Sequence, residues 1–136
     1  MILSRVITEM TRSTVAREMT RIQEIDGGSD DTAGDDKIKS GAGDDVNVGD
    51  DLGGEGVGGD DKIKSGAGDD TNIGDNYPAT SQDVGGDDTI SAGQGDDQLT
   101  GGGGADKFKC GSGDDSITDF NPAEGNKATG NCEGVN

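Results

Sequence analysis

Residues 86–120 read GDDTISAGQ GDDQLTGGG GADKFKCGS GDDSITDF, four units laid end to end with a period of nine. In each unit a glycine opens, an aspartate stands third (Asp88, Asp97, Asp106, Asp115) and an apolar residue follows two positions later (Ile90, Leu99, Phe108, Ile117). Glycine allows the positive-φ backbone of a tight turn, and a single apolar side chain between polar neighbours is the alternation of a short strand. A turn-and-strand unit repeated without a slip is the signature of a solenoid, in which each unit buries its apolar residue against the units above and below.

The same unit recurs upstream, with aspartates Asp36, Asp45, Asp61 and Asp70 and inward candidates Ile38 and Ile63. Residues 34–45 and 59–70 are identical, GDDKIKSGAGDD, at an offset of 25, and continue as VNVGDD and TNIGDN. The stretch from 76 to 85, NYPATSQDVG, carries Tyr77 and Pro78 and reads as a loop bulging from one turn. Insertions in solenoids usually gather on one face.

Composition excludes an ordinary globular core. Hydrophobic residues make up 26% of the 136 residues and aromatics 2%, against 27 glycines. Ordering the backbone costs about 1 to 2 kcal/mol per residue, which so few apolar groups cannot offset. The formal charge of -18 would drive a chain without cations apart. A solvated disordered tail or a halophile-type acidic surface would explain the charge, but neither needs aspartate at a fixed phase to glycine. Phosphate recognition needs clustered Lys or Arg, so nucleic acid is not the expected partner and cations are. Lys37, Lys39, Lys62, Lys64, Lys107 and Lys109 flank inward residues and are expected to point outward without forming a basic cluster.

The first 25 residues differ in kind. Ile7, Val15, Met19 and Ile22 recur at helical spacing without Gly or Pro, which predicts a short amphipathic helix over 1–25, either a cap or a remnant of a longer chain. Its charges leave no apolar stretch that reads as a secretory signal or spans a membrane. Cys110 and Cys132 are expected to pair, two free thiols being the alternative; with no histidine they make no structural zinc site.

The repeats resemble the hemolysin-type, or RTX, calcium-binding nonapeptide repeat family over roughly residues 34 to 120. The resemblance implies a mainly β chain, a right-handed parallel β-roll or β-helix solenoid, spanning 26–120 and followed by a capping tail over 121–136. In that family two nonapeptides make one coil of 18 residues. On this reading residues 46–58 form an irregular coil, in which Asp50 and Asp51 serve as a shortened calcium turn; a broader 25-residue coil is the competing reading. Asn47 and Asn72 stand where the family has an apolar residue, which argues against regular packing of the first half.

The resemblance also supplies a ligand set. Side chains of Asp36, Asp45, Asp61, Asp70, Asp88, Asp97, Asp106, Asp115 and Asp51, with carbonyls of Gly93, Gly95, Gly102 and Gly104, would hold several calcium ions. Asp70, Asp88 and Asp106 would line one edge, and Asp97 and Asp115 the other. The preceding aspartates, such as Asp35, Asp44, Asp60 and Asp69, are expected as turn formers. Asp119 and Phe120 match the family's closing segment, with Phe120 covering the open end, while Asn126 replaces its usual Asp. The implied function is calcium binding coupled to folding in a monomeric, secreted or cell-surface module. Alternatives are an accessory module of a secreted hydrolase and an ice- or surface-binding protein. The chain itself offers no histidine and no nucleophile elbow, so it is not expected to be an enzyme.

Overall fold

The structure, a computed structural model, describes residues 21–23, 33–50, 57–75 and 85–135. The strands are β1 (Arg21–Gln23), β2 (Lys37–Lys39), β3 (Val46–Asp50), β4 (Lys62–Lys64), β5 (Thr71–Asp75), β6 (Thr89–Ser91), β7 (Gln98–Thr100), β8 (Lys107–Lys109), β9 (Asp115–Ile117), β10 (Lys127–Thr129) and β11 (Cys132–Val135). They alternate between two sheets, β1-β3-β5-β7-β9-β11 and β2-β4-β6-β8-β10, and every pairing is parallel. The protein is mainly β, and no helix among the described residues is long and apolar enough to cross a membrane.

Strands this short form because each copy finds the same residue in the copy beside it. Ile38, Ile63, Ile90, Phe108 and Ala128 stand in register down the five-stranded sheet. Leu99 faces Ile117 in the other. The inward residues Ile38, Ile63, Ile90, Leu99, Phe108 and Ile117 are all buried, as their spacing predicts. Each contributes about 1.5 to 3 kcal/mol when fully buried. Phe120 packs on Phe108, with ring centroids 6.4 Å apart.

The first half differs from the 18-residue expectation. Its coils advance by 25 and then 27 residues, whereas the next advances by 18. Val46–Asp50 is a regular strand rather than part of an irregular coil, paired in register with Thr71–Asp75. The extra residues fall between Asp50 and Val57 and between Asp75 and Gly85, while the strands on either side keep their parallel register. Residues 51–56 and 76–84 lie outside the described residues.

Asn47 and Asn72 do not disturb the stack either. Both are fully buried in the column that continues as Leu99 and Ile117. The Asn47 amide donates to Asn72 Oδ1 (2.9 Å) and to Ser40 Oγ (3.0 Å), and the Ser65 hydroxyl donates to Asn72 Oδ1 (2.7 Å). A buried amide is tolerated where such partners exist.

Residues 1–20 of the expected helix lie outside the described residues. Its end is corrected: Arg21–Gln23 is the parallel strand β1 against β3. An open parallel edge offers backbone partners that outweigh a weak helical preference. Beyond Phe120 the chain adds β10 and β11 to the two sheets, so Phe120 lines the last coil instead of covering its end. Cys110 and Cys132 are joined by a disulfide, with Cα atoms 5.4 Å apart.

The lysines do gather, contrary to the expectation drawn from their scattered positions. In register, Lys37, Lys62, Lys107 and Lys127 form one column with Thr89, and Lys39, Lys64 and Lys109 another with Ser91 and Thr129. All seven are exposed on the outer face of the five-stranded sheet.

Candidate metal centre

The turns between sheets lie along two edges. Along the glycine edge the chain passes from the five-stranded to the six-stranded sheet through SGAGDD (40–45), SGAGDD (65–70), AGQGDD (92–97) and CGSGDD (110–115). Here Gly43, Gly68, Gly95 and Gly113 have φ of 118°, 135°, 124° and 129°, a conformation that side-chain-bearing residues avoid. A Cβ on Gly68 would also fall on the carbonyl of Gly43 one coil before. Along the inserted edge the insertions after Asp50 and Asp75 separate β3 from β4 and β5 from β6, and the chain then returns through residues 101–106 and 118–126.

Each turn ends in an aspartate that folds inward. Asp36, Asp61, Asp88 and Asp106 form a column on the inserted edge, and Asp45, Asp70, Asp97 and Asp115 one on the glycine edge. The motif aspartate of each coil accepts the backbone N–H of its counterpart one coil earlier: Asp36 N–H to Asp61 Oδ1 (2.8 Å), Asp61 to Asp88 (2.8 Å) and Asp88 to Asp106 (3.0 Å). The glycine edge repeats this, Asp45 to Asp70 (2.8 Å), Asp70 to Asp97 (2.8 Å) and Asp97 to Asp115 (3.0 Å). The aspartates just before them accept in the opposite direction, as from Asp60 N–H to Asp35 (3.1 Å) and Asp69 N–H to Asp44 (3.0 Å), and stay exposed. Each GDD turn is thus stapled to both neighbours, which accounts for paired aspartates beyond any ligand role.

In five of these carboxylates one oxygen is thus anchored and the other is left over. Asp61 Oδ2, Asp70 Oδ2, Asp88 Oδ2, Asp97 Oδ2 and Asp106 Oδ2 are buried with no hydrogen-bond partner. Leaving such an acceptor unsatisfied costs about 1 to 3 kcal/mol, more when charged. The glycine-edge column ends in a group without this debt, since Asp115 Oδ2 accepts the Gly111 N–H (3.0 Å), whereas on the inserted edge the Asp106 N–H is met by the amide oxygen of Asn126 (2.9 Å), whose Nδ2 is buried without a partner.

The electrostatics record the same strain. Burial pushes the Asp61 carboxyl up to about 7, Asp75 to about 8 and Asp88 to about 9, with neighbouring aspartates adding to the rise. Asp97 and Asp106 rise to about 6, and Asp70 is raised as well, again chiefly through burial and against the lowering effect of the backbone N–H groups. Carboxylates that cannot comfortably ionise by themselves are held ready for a cation, whose charge reverses both penalties.

Asp50 and Asp75 add a third set. Carboxylate oxygens of Asp36, Asp50 and Asp61 lie within 4.8 Å of one another, as do those of Asp61, Asp75 and Asp88. The expected Asp51 lies outside the described residues. Asp75 was not anticipated, although TNIGDN repeats VNVGDD at the 25-residue offset and so places Asp75 where Asp50 stands. The edge assignment also needs correction. Asp70 belongs with Asp97 and Asp115, not with Asp88 and Asp106, because this coil advances by 27 residues, pairing Asp61 with Asp88 and Asp70 with Asp97, where a count of 18 would pair Asp70 with Asp88. Gly93, Gly95, Gly102 and Gly104 all have positive φ, from 103° to 148°. The Gly93 carbonyl accepts the Ser112 N–H (2.9 Å).

This donor set is all oxygen, the cysteines being tied in a disulfide and histidine being absent. Buried, unpartnered carboxylate oxygens over glycine-floored turns suit a hard, oxygen-seeking cation of flexible coordination, which describes calcium better than magnesium or a transition metal. A scan against protein-family models matches the RTX calcium-binding nonapeptide repeat in four copies, over residues 26–51, 55–76 and 84–117. Neither a search of curated proteins nor one of solved structures returns a match.

Proposed function

Because this chain belongs to the RTX calcium-binding nonapeptide repeat family, we propose that it is a right-handed parallel β-roll that takes up several calcium ions along both edges and folds as it does so. Asp36, Asp45, Asp61, Asp70, Asp88, Asp97, Asp106 and Asp115 supply side-chain oxygens, and turn carbonyls such as those of Gly93, Gly95, Gly102 and Gly104 supply neutral ones. The observation that carries this reading is the row of buried carboxylate oxygens with no partner. A fold with so thin a core cannot leave several such groups unpaired, since the usual margin of stability is only about 5 to 15 kcal/mol. Calcium relieves the deficit. The cage is absent from the unfolded chain, so binding free energy becomes folding free energy.

Sites built from glycine turns match the weak end of calcium affinity, near about 0.1 to 1 mM, which suits a module that works outside the cell and stays unfolded in low calcium. The protein then acts as a monomeric structural or interaction module, not as an enzyme. The test is a calcium titration of chelator-stripped protein followed by far-UV circular dichroism, with magnesium as control. A coil-to-strand transition specific to calcium supports the reading; a spectrum unchanged up to about 10 mM calcium, beyond the weakest extracellular sites, refutes it.

A further inference from the structure

The two edges carry different numbers of carboxylates, and the difference comes from residues outside the repeated aspartate slot. Asp75 ends β5, three residues after the inward Asn72. At the matching place on the glycine edge, three residues after the inward Ile63, stands Gly66. One coil later on the inserted edge the stack continues through Gly102, whose added Cβ would meet the Cβ of Asp75. The nonapeptide thus has glycine here, and this chain has put an acid there.

The acid is positioned rather than merely nearby. Asp75 Oδ2 accepts the Gly86 N–H (2.9 Å), so its Oδ1 is left buried and without a partner. Asp61 and Asp88 each spend Oδ1 on a backbone N–H and keep a buried, unpartnered Oδ2. The three residues are 2%, 2% and 0% exposed, and their ligand oxygens lie within 4.8 Å of one another. The Asp88 Oδ2 also sits where a Cβ on Gly74 would be, so the glycine before Asp75 leaves the space that the oxygen occupies. Lys62 and Lys64, on the strand after Asp61, are exposed on the outer face of the sheet.

We propose that Asp61, Asp75 and Asp88 form a three-carboxylate cation site that the repeat pattern alone does not encode, and that it is the tightest calcium site in the molecule. The inference rests on the calcium reading above and adds to it a division of labour between the edges. Three carboxylates leave one net negative charge around a divalent cation and none around a trivalent lanthanide, so the site favours terbium or europium over calcium. Affinity at calcium sites rises with the number of charged ligands. Asp36, Asp50 and Asp61 repeat the arrangement one coil earlier, sharing Asp61.

The experiment is calorimetric titration of the full chain with calcium and with terbium, comparing wild type, Asp75→Asn and Asp97→Asn. Asparagine keeps an oxygen for the Gly86 N–H while removing the charge, so circular dichroism in saturating calcium is expected to match wild type. Asp75→Asn weakens the tightest class of ions by about tenfold or more, since even outer partners of metal ligands are worth that much. Asp97→Asn leaves that class intact and weakens the remainder. Europium luminescence lifetimes give an independent count of bound water, which rises in Asp75→Asn. Unchanged tight binding and hydration in Asp75→Asn, or equal loss in Asp97→Asn, overturns the proposal while leaving calcium binding by the repeats in place. A wild-type chain that binds no calcium overturns both.

Discussion

The two edges of the roll solve one problem, turning the chain between sheets, by different means. On the glycine edge the four turns that end in an aspartate have the same length and depend on a positive-φ glycine, at Gly43, Gly68, Gly95 and Gly113, and the short last turn from β10 to β11 has one at Gly130. On the inserted edge the first two returns are long, and each is pinned by a carboxylate: Asp50 accepts the Gly59 N–H (2.7 Å) and Asp75 the Gly86 N–H (2.9 Å). Where the insertion is missing this edge reverts to positive-φ glycine, at Gly102 and Gly104 and then at Gly125. Conformational permissiveness and length are thus interchangeable ways to turn a corner, but length brought extra charge into the interior.

If the glycine edge depends on backbone conformation, Gly68→Ala is the most damaging single change there. It forces an alanine into positive φ and drives its Cβ onto the Gly43 carbonyl. Strain and overpacking together cost about 3 kcal/mol or more. Gly41→Ala, whose Cβ meets nothing within 4 Å among the described residues, is nearly neutral. Denaturant midpoints in saturating calcium separate the two, and equal midpoints would break the contrast.

The last turn of the glycine edge is closed covalently by Cys110 and Cys132, 22 residues apart. Reduction lowers stability by about 3 kcal/mol on the loop-entropy account. Thermal melts with and without reductant measure this; no shift would mean that coil stacking alone holds the end.

Acidity distinguishes the edges next. In the metal-free protein the raised carboxyls hold protons that the unfolded chain, near the ordinary value of 3.8, has released. The folded state therefore binds more protons, and stability falls as pH rises. The loss runs through about 6 for Asp97 on the glycine edge, and from about 6 for Asp106 through about 7, 8 and 9 for Asp61, Asp75 and Asp88 on the inserted edge. Chelated protein is therefore predicted to show more strand by circular dichroism at pH 5 than at pH 9. With calcium bound the trend reverses, because protons then displace the ion. Parallel trends in the two conditions would contradict the assignment.

The smallest change is Asn126→Asp. It extends the inserted-edge column by one carboxylate in place of an amide whose Nδ2 is buried without a partner. Calorimetry is expected to register additional calcium uptake; unchanged stoichiometry would mean that the column already ends at Asp106.

Much of this arrangement was legible in the sequence, because a solenoid places identical residues in identical surroundings. The inward column and the Ile90–Phe108 and Leu99–Ile117 stacking follow from the nine-residue phase alone. What failed was counting across insertions. A period of 18 puts Asp70 beneath Asp88, whereas Asp88 stacks on Asp61, 27 residues earlier. The same insertions in the sequence hid Asp75, which has no place in the repeat unit but gains one from the corner it occupies. Asn47 and Asn72 appeared disruptive because their partners, Ser40 and Ser65, open the glycine-edge turns seven residues earlier and only the folded roll brings them together. The lysine face was equally invisible, as only the 25- and 27-residue registers bring those strands side by side.

The most direct measurement is a crystal structure grown in calcium, with anomalous difference density collected to locate the ions. The account predicts peaks within about 2.3 to 2.6 Å of the inner carboxylate oxygens along both edges, the strongest among Asp61, Asp75 and Asp88. Peaks confined to the exposed outer aspartates, Asp35, Asp44, Asp60 and Asp69, would contradict it.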